Sequence, residues 1–148
     1  MKKVTALVVD DSKVMRNLVK QTLKKTGLAE FEFQEAEDGE EALEQFDESV
    51  TDIVFADWNM PRMSGIALAK EIRTNEKSHR VPIIMVTSEK AMGKVEQALD
   101  EVGANAYVTK PFTPEEMKKK IEKIIASLGA KDKKQKGEKS GFFKNLVS

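Results

Sequence analysis

Polar residues close four of the apolar runs in this chain. Asp10 and Asp11 follow VTALVV, Asp57 follows TDIVFA, Thr87 and Ser88 end VPIIMVT, and Lys110 follows NAYVT, with Pro111 next. A lone aspartate after a strand is ordinarily a turn or cap residue. The set asks for more. If the runs are parallel strands, their ends lie along one edge of one sheet, where open α/β folds place ligands. Three carboxylates, two hydroxyls and an ammonium then meet. Two carboxylates about 5 Å apart repel by roughly 3 kcal/mol at an effective dielectric near 20, so three together need a cation or a proton among them. Oxygen-only donors select a hard ion over zinc, and few carboxylates plus water suit octahedral Mg2+, which commonly completes its shell with phosphate oxygens. A phosphoryl group nearby is the implied substrate: Thr87 would donate to one of its oxygens and Lys110 would neutralise another. A carboxylate can itself attack phosphorus and become an aspartyl phosphate, and Asp57, on the middle strand, is the candidate nucleophile.

Positioning such a set requires alternating strands and helices, and the chain alternates five times. VTALVV, EFEFQEA, TDIVFA, VPIIMVT and NAYVT are the expected strands, which predicts a parallel α/β sheet covered by helices on both faces. The first, third and fourth lack polar alternation, as strands buried on both faces do. The second alternates Phe31 and Phe33 with Glu30 and Glu32, which places it at an edge. Helices are expected over Ser12 to Thr26 with Val14, Met15, Leu18, Val19 and Leu23 on one face and Gly27 as the stop, and over 38–47, 64–73 and 91–102. Gly93 and Gly103 read as helix-end or turn glycines. The last helix is the most fully signalled: Thr113 caps, Pro114 starts, Glu116 completes a capping box, and Met117, Ile121, Ile124, Ile125 and Leu128 form the buried stripe. Its expected end is near Gly129. Residues 1–129 therefore read as one domain, 130–140 as a lysine-rich flexible linker, and 141–148 as a short amphipathic tail.

Composition excludes several classes. The chain has 148 residues, 40% hydrophobic and 34% charged, and no cysteine, so a disulfide framework and a thiolate metal site are both ruled out. His79 lies in the polar run NEKSHR and reads as a surface residue. Net charge is zero, but residues 1–129 carry 19 basic and 23 acidic side chains and residues 130–148 carry 6 and 2. That balance does not describe a nucleic-acid binder. No apolar run approaches the length of a membrane span, so no membrane insertion is expected and the location is read as cytoplasmic. Residues 30–48 hold ten acids and no base, a solvated face first and a docking surface for a basic partner second.

The residues Asp10–Asp11, Asp57, Thr87 and Lys110–Pro111, in that order and spacing, resemble the receiver domain of two-component response regulators, most closely its chemotaxis-type single-domain members. The similarity covers residues 1 to about 128. It implies a flavodoxin-like (βα)5 doubly wound sandwich with strand order 2-1-3-4-5. It implies a chemotaxis-type histidine kinase as phosphoryl donor to Asp57. Asp11, Asp57 and the backbone carbonyl of Asn59 would bind Mg2+, with Asp10 acting through water. Thr87 and Lys110 would contact the phosphoryl oxygens, Tyr107 would be the switch aromatic, and a cis bond would precede Pro111. Asn59 and Glu89 occupy positions that tune water attack on the acyl phosphate, and their match to the chemotaxis-type pattern implies a short-lived phosphorylated state.

On this reading the chain is a switch and not an enzyme of multiple turnover. Its output would be contact with a downstream protein such as the flagellar motor switch, through the helix over 91–102, the fifth strand and the last helix. An aspartate-nucleophile phosphatase is the rival; it would want an acid two residues after Asp57, where Asn59 stands. A flavin module fits less well, because Asp10 and Asp11 occupy the loop where a phosphate needs amides and hydroxyls. Lys118 to Lys120 are either solvated or partner contacts. Trp58 is expected to pack beside the site and to report on it by its emission. In the tail, Phe142, Phe143, Leu146 and Val147 make one apolar face if the segment becomes helical. The leading expectation is a peptide docking into a partner protein, such as a phosphatase; a flap onto the chain's own readout face and a disordered or weakly membrane-touching extension are the others.

Overall fold

The computed structural model describes residues 2–58, 60, 63–74, 80–88 and 103–136, with 129–136 described by their backbone helix alone. Five parallel strands form one sheet: β1 (Lys3–Val9), β2 (Glu30–Ala36), β3 (Ile53–Asp57), β4 (Ile83–Ser88) and β5 (Ala106–Lys110), in the order β2-β1-β3-β4-β5. Four helices among the described residues cover it: α1 (Lys13–Thr26), α2 (Gly39–Gln45), α3 (Gly65–Thr74) and α4 (Pro114–Lys136).

The apolar runs without polar alternation are strands whose side chains alternate between two buried layers. Val4, Ala6, Val8, Ile53, Phe55, Ile84 and Val86 face α1 and α4, where Val19, Leu23, Met117, Ile121 and Ile125 complete the layer. Leu7, Val9, Val54, Ala56, Ile83 and Met85 face α2 and α3, where Ala42, Leu68, Ala69 and Ile72 close the other. This is why β1, β3 and β4 need apolar residues at both parities. The alternating β2 is an edge strand, and its Phe31 and Phe33 rings stack 6.0 Å apart.

Local signals hold where a cap defines them. Ser12 caps α1 by accepting from the Met15 N–H, and Gly27 ends it at φ 71, a conformation that a Cβ disfavours. Thr113 and Glu116 exchange the two bonds of a capping box, 3.1 and 2.9 Å, at the start of α4. The bond before Pro111 is cis.

Two boundaries and one buried face depart from expectation. α4 does not end near Gly129 but continues to Lys136, so at least residues 130–136 of the expected linker are helical. The reason is composition: AKDKKQK contains Ala, Lys and Gln, good helix formers, and the packed turns before it have already supplied the nucleus. An apolar stripe that stops marks the end of a packed face, not the end of a helix. α2 is shorter than predicted, because Phe46 leaves the helix with φ −68 and ψ 129, its side chain packed against the α2 and α3 layer. On α1 the buried register is Arg16, Val19, Thr22, Leu23 and Thr26, while Val14 is 78% and Leu18 41% exposed. Spacing alone had put both on the buried face; the contact with α4 chose a register rotated away from them.

The expected helix over 91–102, with Gly93, lies outside the described residues, as does His79. Gly103 adopts φ 69, consistent with its reading as a turn glycine. No helix of the described residues is long and apolar enough to cross a membrane.

Candidate functional site

Register brings the polar strand ends together. Val9 pairs with Ala56, so Asp10 emerges beside Asp57; Asp57 pairs with Val86, so Thr87 stands one residue further out; Ser88 pairs with Lys110. Asp10, Asp11 and Asp57 each offer a carboxylate oxygen, and these oxygens lie within 4.8 Å of one another. Asp10, Asp57 and Thr87 are buried, whereas Asp11 is exposed. Lys110 reaches across β4 to place Nζ 3.3 Å from Asp57 Oδ1 and 3.5 Å from Asp10 Oδ2. The Thr87 hydroxyl donates to the Ser88 carbonyl at 3.3 Å.

Asp10 is held at every polar group. Its N–H donates to the Ala36 carbonyl at 3.1 Å, its carbonyl accepts from Arg16 Nη1 at 2.6 Å, and its Oδ1 accepts from the Ser12 N–H at 2.8 Å. Burial pushes the Asp10 carboxyl above the usual carboxylate range; the Ser12 N–H and Lys110 oppose that shift, and Asp11 adds to it. Burial and a like charge both disfavour the ionised carboxyl, and a proton or a cation beside it relieves that cost.

These residues fit a hard divalent ion. All three donors are carboxylate oxygens gathered within 4.8 Å of one another, and oxygen-only donors of this kind suit a hard ion that completes its shell with water. Asn59, expected to add its carbonyl, and Glu89 lie outside the described residues. So do Phe142, Phe143, Leu146 and Val147.

Tyr107 is half-buried at β5, with Lys120 Nζ 4.7 Å from its ring centroid, so one of the three α4 lysines meets an aromatic ring and not solvent alone. Trp58 is half-buried and packs against the α2 and α3 layer.

Two contributors were not foreseen. Gly65 opens α3 against the backbone of Asp57: its N–H donates to the Trp58 carbonyl at 3.2 Å, and a Cβ there would collide with the Asp57 carbonyl. A glycine eight residues after Asp57, at a helix start, was the available signal. The other is Arg16, a charge in the buried register of α1. Its Nε donates to Glu35 Oε1 at 2.9 Å, and Lys20 Nζ donates to Glu35 Oε2 at 2.7 Å.

The model for response regulator receiver domains matches residues 6–122. Chemotaxis protein CheY1 of Helicobacter pylori is 42% identical over 122 residues, 82% of this chain and 96% of that protein. The solved structure of Vibrio cholerae chemotaxis protein CheY4 superposes with a TM-score of 0.72 at 34% identity, covering 82% of this chain and 98% of that one. The receiver domain of a Pseudomonas aeruginosa sensor histidine kinase, solved with a magnesium ion coordinated in its active-site cleft, superposes with a TM-score of 0.70 at 27% identity, covering 84% and 98%.

Proposed function

Because the chain belongs to the family of response regulator receiver domains, and within it to the chemotaxis type, we propose that Asp57 is its phosphoacceptor and that the chain is a switch read by other proteins. The donor is a phosphohistidine of a histidine kinase. An Asp57 carboxylate oxygen attacks phosphorus, the bond from phosphorus to the imidazole nitrogen breaks, its electron pair leaves with the imidazole, and an acyl phosphate forms.

The observation that carries this reading is the Lys110 ammonium spanning Asp57 and Asp10 beside a third carboxylate. It sets a positive charge 3.3 Å from Asp57 Oδ1 and stands ready to pair with a phosphoryl oxygen. Asp11, Asp57 and the Asn59 carbonyl would hold Mg2+, with Asp10 acting through water. When bound, the ion supplies charge neutralisation for the carboxylates and the transferring group.

Switching is a two-state equilibrium biased by the phosphoryl group. Thr87 exchanges its bond to the Ser88 carbonyl for one to a phosphoryl oxygen, and Tyr107 repacks under Lys120. The face formed by β5 and α4 carries the change to a downstream partner such as the flagellar motor switch.

Incubation with a small acyl-phosphate donor and Mg2+ should add the mass of one phosphoryl group and change Trp58 emission. Asp57→Asn should show no mass gain. Label on another side chain would refute the assignment.

A further inference from the structure

We infer that Arg16, with Glu35 and Lys20 behind it, is the positioning residue of the acidic rim: it fixes the peptide plane between Asp10 and Asp11 and so aims the Asp11 carboxylate at the metal position. The inference rests on reading that rim as a Mg2+ site. Asp11 is exposed, so packing does little to hold its side chain, and beyond its contact with the Asp10 carboxyl its direction comes from the backbone. The peptide that carries it starts at the Asp10 carbonyl, which Arg16 Nη1 grips at 2.6 Å. One residue earlier, the Asp10 N–H is tied to β2 through Ala36 at 3.1 Å. The two bonds hold the Asp10 backbone on both sides.

The guanidinium is in turn held. Its side chain is 10% exposed, and a buried guanidinium needs a counter-charge. Glu35, near the end of β2, supplies it through the Nε bond at 2.9 Å, and Lys20, one turn along α1 from Arg16, steadies the other Glu35 oxygen at 2.7 Å. The chain of contacts runs from β2 to α1 to the loop that carries two of the three acids. Planar geometry matters here: a guanidinium can serve a carbonyl and a carboxylate at once from separate nitrogens in fixed directions, while a lysine offers one nitrogen whose donors rotate and do not fix those directions. Outer groups that orient metal ligands ordinarily change affinity by about 10- to 100-fold when removed.

The test is a titration of the metal-free full chain with magnesium chloride, followed by Trp58 emission and by calorimetry, with urea unfolding measured in parallel. Arg16→Ala should weaken Mg2+ affinity by about tenfold or more, Arg16→Lys by less, and Glu35→Gln by about two- to threefold. Arg73→Ala, which removes another partly buried guanidinium far from the rim, serves as control; it should lose stability yet keep wild-type affinity. A folded Arg16→Ala protein with wild-type affinity overturns the inference. If Arg16→Ala does not fold, wild-type affinity in both Arg16→Lys and Glu35→Gln overturns it. Equal weakening by Arg73→Ala also overturns it, since the effect would then be general loosening. A wild-type chain that takes up no Mg2+ refutes the metal site itself, a separate failure.

Discussion

The two ends of the sheet handle buried polarity in opposite ways. Near the amino ends of β4 and β5, Arg73 donates Nη1 to the Val81 carbonyl at 2.7 Å, Nε and Nη2 to the Gly103 carbonyl at 3.2 and 2.9 Å, and Nη2 to Asn105 Oδ1 at 2.9 Å. Asn105 Oδ1 also accepts from the Ile83 N–H at 2.9 Å. One cation serves several neutral oxygens, and the donors and acceptors answer each other. Burial lowers the Arg73 pKa, but a guanidinium stays charged regardless. At the carboxyl ends, three carboxylates gather within 4.8 Å of one another, and the Lys110 ammonium pairs with two of them, Asp57 and Asp10. A complete polar cluster stabilises; a cluster left with surplus like charge stores an affinity for something of the other sign. The contrast separates a structural clamp from a site, although both are partly buried and both are polar.

The largest effect should come from breaking the complete end. Arg73→Ala leaves the Val81 and Gly103 carbonyls without their charged donor and should cost about 3 kcal/mol in urea unfolding, with phosphorylation of the folded fraction unchanged. A loss under 1 kcal/mol would mean that water replaces the guanidinium freely. At the other end the sign reverses. Asp10→Asn removes a buried like charge and should raise metal-free stability by about 1 kcal/mol, while reducing the gain from Mg2+, which for wild type is about 2.7 kcal/mol at a hundredfold excess over the dissociation constant. Destabilisation by Asp10→Asn in metal-free protein would make that carboxylate structural.

The smallest effect is a pH dependence. The Lys20 ammonium, and Arg16 after it, hold the Glu35 carboxyl below its ordinary value against opposing burial. Its contribution is therefore present above the unfolded pKa near 4.5 and is lost as pH falls through the folded one. Glu35→Gln should flatten that part of the acid limb of the stability profile, modestly, because the side chain is 37% exposed. An unchanged acid limb would count against the ion pair.

Legibility followed the range of the interaction. Caps are written within three residues, so Thr113 and Glu116 could be assigned from their neighbours. The strands were legible because two buried faces demand apolar residues at successive positions, as in VTALVV. The end of α4 was misread, since a stripe reports packing while helix continuation past Gly129 depends on backbone propensity. Val14 and Leu18 were misassigned because apolar spacing gives a face but not its rotation against a neighbour.

By itself the sequence determined the alternation of strands and helices and the chemical types waiting at the strand ends, because period and burial act locally along a chain. Only the tertiary structure decided that Lys110 bridges Asp57 and Asp10, that Gly65 must lack a side chain, and that Arg16 reaches the Asp10 carbonyl. Those depend on register and on crossing β4, and parallel register is set by contacts between segments distant in the chain.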